Sequence, residues 1–259
     1  MFINNFDPVA IEVLSFEVRW YSLAYIIGIL IGWYLAKKFF INKNIYNKFD
    51  DYITYIILGL IIGGRLGYVL FYNFDYYIQN PLDIIKLWQG GMSFHGGVLG
   101  VILASLIFAK KNNDNVFEYL DVVALVSPIG IFLGRLANFI NSELYGHETT
   151  MPWGIKFTQV DDLYRHPTQL YEAFLEGIIL FIILLFFKKK EYFKISGILS
   201  SLFLIFYSLF RFIIEYFREP DEQLGYIIFN YTMGQLISLI FFIVGLFLFY
   251  SKIDAQKKS

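Results

Sequence analysis

Apolar residues arrive along this chain in long unbroken runs, not in alternation. Seven runs stand out, at 20–40, 52–72, 96–108, 116–140, 168–187, 196–217 and 227–250. Most contain the ~20 residues that a helix needs to cross a ~30 Å hydrocarbon core. Barrel strands would alternate with period two, so the runs predict helices. The third run is short and is expected to borrow residues from the glycine-rich stretch Gly90–Gly97.

Between the runs, the basic residues sort into two sets. One holds Lys37, Lys38, Lys43, Lys48, Lys110, Lys111, Lys188, Lys189, Lys190, Lys194, Lys252, Lys257 and Lys258; the other holds Arg19, Lys86, Lys156, Arg165 and Arg218. The sets alternate along the chain, thirteen against five. That bias predicts seven transmembrane helices with the N-terminus outside and the C-terminus cytoplasmic. Residues 1–19 carry Asp7, Glu12 and Glu17 and no basic n-region, so the first run is expected to remain as a span rather than serve as a signal peptide. No linker or low-complexity tract divides the chain. The fold class expected is therefore all-α, a polytopic membrane protein with one domain over residues 1–259.

Composition agrees. Hydrophobic residues make up 57% of the 259, aromatic residues 20% and charged residues 17%, where soluble domains carry about 25% charge. A net charge of −1 gives no footprint for nucleic acid. Cysteine is absent, which excludes disulfides, thiolate metal sites and a cysteine nucleophile belonging to the chain. His147-Glu148 lacks the second histidine of a zinc-protease helix, Ser93 is outside any G-x-S-x-G, and there is no P-loop or dinucleotide fingerprint. No metal or cofactor is expected.

Polar residues within the runs change the picture most, because charges in a bilayer are costly and mark function. With the orientation above, Arg65, Arg135, Asn138, Arg211 and Glu215 fall late in outward-running spans. Tyr21, Glu172 and Glu176 fall early in inward-running ones, with His95 and His166 just before two of them, at their entries. Five of seven spans thus place polar groups in the outer third of the membrane. Glu118 and Asp121 lie at the inner end and read as structural or interfacial. Tyr207, Arg211, Glu215 and Arg218 recur at four and three residues and share one helical face. That face is either a self-satisfied Arg211–Glu215 pair or a guanidinium aimed at phosphate and steadied by the glutamate; Arg suits phosphate because its planar donors bind it bidentately. Arg135 and Asn138 share a face of the fourth span. His95 stands between the pairs Gly90-Gly91 and Gly96-Gly97, as an anchor or as a chemical group. His166, before Pro167, reads as a helix-start cap, and His147 as an exposed loop residue. The stripes Gly59/Gly63/Gly67, Gly96/Gly100 and Gly130/Gly134 are expected to be packing seams.

At these residues the chain resembles a known family. Gly134-Arg-Leu-Ala-Asn-Phe-Ile-Asn-Ser-Glu-Leu-Tyr-Gly146 is similar to the signature of the bacterial prolipoprotein diacylglyceryl transferases, with Ala137 where that pattern usually has Gly. Arg19-Trp-Tyr21, Gly90–Gly97, Arg165-His-Pro-Thr-Gln-Leu-Tyr-Glu172 and Tyr207–Asp221 resemble further blocks of the family, in the same order, from about Phe6 to Tyr250. The resemblance implies seven spans and work at the outer face of the bacterial inner membrane. It also implies transfer of the diacylglyceryl group of phosphatidylglycerol to the lipobox cysteine of a preprolipoprotein. Glycerol 1-phosphate would leave and a thioether remain, without metal or cofactor. The expected partners are these two substrates and membrane lipid. Arg135 and Arg211 are expected on the phosphate and glycerol headgroup. His95 is expected as base for the thiol, with Tyr207 the alternative. Asn138, Glu143 and Glu215 would order these groups, with Tyr21 and Gly146 at the rim. A secondary transporter would instead show inverted repeats and midplane sites, and a receptor or scaffold would not need Arg135, Arg211 and His95 at one depth.

Overall fold

The computed structural model describes residues 2–13, 16–190, 195–220 and 225–258. Lys194 of the basic loops and Asp221 of the last motif lie outside the described residues. The helices are α1 (Trp20–Leu35), α2 (Lys43–Tyr46), α3 (Phe49–Phe71), α4 (Phe74–Gln79), α5 (Phe94–Asn112), α6 (Val116–Ile140), α7 (Thr168–Glu172), α8 (Leu180–Lys188), α9 (Ile198–Ile214) and α10 (Met233–Lys258). A wider π-helical stretch, Ala173–Ile179, joins α7 to α8. Seven short strands lie in the connections: β1 (Phe2–Asn4), β2 (Val9–Val13), β3 (Phe16–Arg19), β4 (Ile155–Phe157), β5 (Tyr164–Arg165), β6 (Tyr226–Ile228) and β7 (Tyr231–Thr232). The run lengths did not announce these strands.

Among the described residues, six helices are long and apolar enough to cross a membrane: 20–40, 49–71, 94–112, 116–140, 168–188 and 233–257. The chain is a multi-pass helical membrane protein. The run expected at 196–217 is helical only over the 17 residues of α9, about 25 Å at 1.5 Å per residue. It stops early because Glu215–Phe217 form a tight turn that feeds the next segment into a backbone ladder. The third run takes Phe94 and His95 from the glycine-rich stretch, as expected, and extends beyond the expected end to Asn112. Ser93 caps α5 by accepting from the Gly96 N–H, and Asn113, at φ 53°, ends it.

The chain divides into two compact units. In the unit formed by residues 39–120, α3 packs on α5 through the expected glycine seam. A Cβ on Gly63 would lie 2.7 Å from Gly100 Cα, and one on Gly67 2.7 Å from Gly96 Cα, so backbone meets backbone. Tyr52 and Ser105 share a buried 2.8 Å hydrogen bond across this seam. Arg65 is not a ligand-facing group. Its buried guanidinium donates to the carbonyls of Asp83, Ile84, Lys86, Gly90 and Gly91, and so ties the 80–91 segment to α3.

The other unit holds residues 2–38 and 121–258. Gly28 brings α1 against α6, where its Cβ would meet Gly130 Cα at 3.1 Å, and Gly177 brings the π stretch against Phe132 of α6. Gly130 and Gly134 themselves depart from the expected seam: a Cβ on either would meet nothing within 4 Å. Asp121 accepts from the Gly197 and Ser200 amides and the Ser200 hydroxyl, capping α9; its role is structural, as its position suggested. β1 pairs in parallel with β4, and β4 antiparallel with β5. Buried Asn4 ties this small sheet to the end of α6 through a 2.6 Å bond to the Phe139 carbonyl. Exposed stripes such as Ile240, Ile243 and Phe247 on α10 face outward, as lipid-facing positions do.

Candidate functional site: a buried arginine–carboxylate cluster

The cluster assembles where α6, the α7–π segment and α9 meet within one unit. α9 presents Tyr207, Arg211 and, one turn on, Glu215, at the spacing that places them on one face. Arg211 Nη2 lies 2.9 Å from Glu215 Oε2. The expected pair is therefore formed, but it is not self-contained. Glu172, fully buried, is the hub: it takes Arg135 Nε at 2.9 Å, Arg218 Nη1 at 3.2 Å and the Nη1 of Arg211. Glu176, also fully buried, lies 3.5 Å from Arg135 Nη2 and 4.0 Å from Arg211 Nη1, and its Oε1 has no hydrogen bond. Three arginines and three glutamates thus balance in charge, which is what makes their burial bearable.

The guanidiniums are not sealed. Arg135 and Arg211 keep 14% and 12% side-chain exposure. Arg135 Nη1 and Arg211 Nε meet no acceptor among the described residues. Two planar cations, held by carboxylates and with donors to spare, suit an oxyanion such as a phosphate. Tyr207, buried and stacked on Phe203 at 5.5 Å, lies within electrostatic reach of both arginines and both α7–π glutamates.

The end of α6 organises the flank. The Ser142 amide donates to the Phe139 carbonyl and the Glu143 amide to that of Asn138, with Ser142 at φ 57°: a Schellman termination. It returns Glu143 onto its own helix, where Asn138 Nδ2 donates to it at 3.1 Å and Asn141 Nδ2 at 3.4 Å. Gln169 and Thr168, at the start of α7, donate to the carbonyls of Glu143 and Leu144. Tyr21, on α1, is half-exposed, 3.4 Å from Tyr25 by their hydroxyls and within electrostatic reach of Arg135 and Glu143.

Gly146 sits in the middle rung of a ladder. Its amide donates to the His166 carbonyl at 2.8 Å, and the His147 amide to that of Phe217 at 2.9 Å. A Cβ on Gly146 would lie 2.6 Å from His166 Cβ and 2.7 Å from His166 O, so only glycine lets these strands close. The ladder is what delivers Arg218 to Glu172. His166 is not a cap: the residue before α7 is Pro167, and His166 Nδ1 lies 3.1 Å from Tyr171 Oη. His147 is paired with Glu219 at 3.0 Å. Outside the spans, the Arg165 hydrogen bond holds the Asp161 carboxyl below the usual range.

The geometry brings together Arg135, Arg211, Tyr207 and Glu215, with Asn138, Glu143, Gly146 and Tyr21 around them. His95 belongs to the 39–120 unit, half-buried in the first turn of α5 beside the Phe94 ring. The sequence expectations included Glu172 and Glu176 among the polar span residues but gave them no role. The signal for them was a pair of carboxylates four residues apart in an apolar helix, a costly placement without cations nearby. A π-helical stretch at that point, common at functional sites, had no local mark in the sequence.

Fold and cluster together define a multi-pass membrane protein with a charged site buried between helices. A family model described as prolipoprotein diacylglyceryl transferase matches residues 8–251. A phosphatidylglycerol–prolipoprotein diacylglyceryl transferase of Rickettsia canadensis is 50% identical over 250 residues, covering 95% of this chain and 96% of its own. Those of Rickettsia felis and Rickettsia bellii are 49% and 48% identical, each over 96% of this chain. The chain belongs to the prolipoprotein diacylglyceryl transferase family and is an enzyme, a membrane-embedded transferase.

Proposed function

We propose that this chain transfers the diacylglyceryl group of phosphatidylglycerol to the lipobox cysteine thiol of a preprolipoprotein. The reaction leaves a thioether and releases glycerol 1-phosphate, at the outer face of the inner membrane. The names of its relatives support the substrate pair, and the thirteen-to-five basic bias supports seven spans with the N-terminus outside. The observation that carries the chemistry is the convergence of Arg135 and Arg211 from two helices on Glu172, each with a donor left over.

The reaction is displacement at an sp³ carbon. The substrate sulfur forms a bond to the glyceryl carbon as the carbon–oxygen bond to phosphate breaks, and the departing oxygen keeps the electron pair. The phosphate begins as a diester with one negative charge and leaves as a monoester with two. The charge therefore grows on the phosphate during the step, and guanidiniums fixed beforehand stabilise that change without reorganising. A free thiol has a pKa near ~8.5, so a base raises its reactive fraction. His95 takes the thiol proton in this scheme, with Tyr207, one turn before Arg211 on the same face, as the alternative acceptor. Glu215, Asn138 and Glu143 hold the arginine face in place, and Tyr21 and Gly146 shape its rim.

Purified protein, phosphatidylglycerol labelled in its acyl chains and a lipobox peptide test the proposal. Label is expected on the peptide cysteine and absent from a Cys→Ser peptide. Label that stays in lipid, with the protein folded, would overturn it.

A further inference from the structure

Glu215 has two neighbours of different kinds. On one side is Arg211; on the other, a cavity of about 350 Å³. Its lining includes His147, Glu215, Tyr226, Asn230, Thr232 and Gln235, each with a polar group, and among the described residues no lysine or arginine lines it. The β6–β7 hairpin builds the outer wall. Its turn residues Phe229 and Asn230 have φ of 50° and 59°, which aims the strand ends back toward α10. Thr232 and Gln235 brace each other at the start of α10: the Thr232 amide donates to Gln235 Oε1 at 3.1 Å, and the Gln235 amide to Thr232 Oγ1 at 3.2 Å. Thr232 Oγ1 also donates to Glu215 Oε1 at 2.9 Å. Gly234 allows this approach, since a Cβ there would lie 2.5 Å from Glu215 Oε1. Glu215 Oε2, 2.9 Å from Arg211 Nη2, has no N–H aligned on it.

A cavity of amides, hydroxyls, tyrosine rings, one imidazole and one carboxylate paired with Arg211 suits an uncharged ligand that carries both hydroxyl and CH groups. It does not suit an anion, since no lysine or arginine among the described residues lines it, nor a cation, since Arg211 already answers the Glu215 carboxylate. Glu215 links the cavity to the guanidinium assigned to phosphate, since it lines the one and pairs with the other. We propose that it is the subsite for the terminal glycerol of the lipid headgroup, a neutral diol joined to that phosphate, and that it sets headgroup choice. The inference rests on the transfer reaction proposed above.

The test is inhibition of label transfer by glycerol 1-phosphate and by inorganic phosphate, which differ only in the glycerol. The variant is Asn230→Gly with Tyr226→Phe: glycine keeps the positive φ at 230, and phenylalanine keeps the ring at 226. Losing two hydrogen bonds to neutral hydroxyls is expected to raise the inhibition constant for glycerol 1-phosphate by about tenfold. That for inorganic phosphate should stay within about twofold of the parent. Equal weakening of both inhibitors, no weakening of either, or a rise confined to the KM of the peptide would each overturn the subsite. Absence of transfer by the parent chain would instead overturn the reaction itself.

Discussion

Glu172→Gln is the perturbation that most strains this description of the cluster. One buried carboxylate meets Arg135, Arg211 and Arg218 at once. A unit charge about 4 Å from another is worth about 4 kcal/mol at an effective dielectric near 20. Removing it leaves three buried arginines facing two glutamates. Breaking one partner of a buried ion pair costs about 3–5 kcal/mol. Glutamine keeps an acceptor oxygen, so the lower end applies, about 3 kcal/mol. At roughly 2–4 °C per kcal/mol, the thermal midpoint should fall by about 6–12 °C. Glu176→Gln should cost about 1 kcal/mol, because its arginine contacts are longer, at 3.5 and 4.0 Å, and its Oε1 has no hydrogen bond to lose. Thermal unfolding of both variants in one detergent, with transfer measured at a temperature where each is folded, gives the order. A Glu176 variant as damaged as the Glu172 variant, or a Glu172 shift below about 2 °C, would refute the hub.

Arg135→Lys should retain under about 1% of parental kcat, because a point charge replaces the planar fork; ordinary turnover in membranes with normal expression would remove Arg135 from the phosphate site. His95→Gln should slow transfer by about 10²–10⁴ at neutral pH while lipid KM holds, and near-normal kcat would make His95 an anchor. Gly63→Val should prevent α3 from closing on α5, whereas Gly134→Ala should fold normally; accumulation and thermal midpoint of each report the difference. Burial, then the charge of His147, hold the His166 imidazole below its ordinary value. The folded chain therefore resists a proton that the unfolded chain accepts near pH 6.5. Stability should be full above that pH and decline below it, and His166→Phe should flatten the decline; an acid-side gain in the parent would contradict the sign.

Much of this was legible in residue patterns. Run length and hydropathy marked six helices long enough to span, and the 207–211–215 spacing put Arg211 beside Glu215 because a helix leaves no other option. The Gly59/Gly63/Gly67 stripe marked a real backbone contact. The Gly130/Gly134 stripe did not: a Cβ on either would meet nothing within 4 Å, and the close approach at Gly130 is made by Gly28 of α1, since spacing alone does not say where a partner helix lies. Glu172 as hub was out of reach because its three arginines are 37, 39 and 46 residues away in the chain, and long-range convergence has no local signature. Arg65 was expected at the depth of the site residues, but its donors go to loop carbonyls, a fate that an apolar run cannot reveal. The ladder through Gly146 was equally hidden, being made of backbone groups that every sequence carries.

The central claim is that the phosphate leaves from carbon, with Arg135 and Arg211 meeting the charge it gains. It is tested by phosphatidylglycerol carrying ¹⁸O in the bridge between the diacylglyceryl carbon and phosphorus. Mass spectrometry of the products after transfer to a lipobox peptide follows that atom. Displacement at carbon predicts that the ¹⁸O departs in glycerol 1-phosphate and that the peptide gains a thioether without it. Recovery of the ¹⁸O in the lipid-bearing product would place the break at phosphorus and contradict the account.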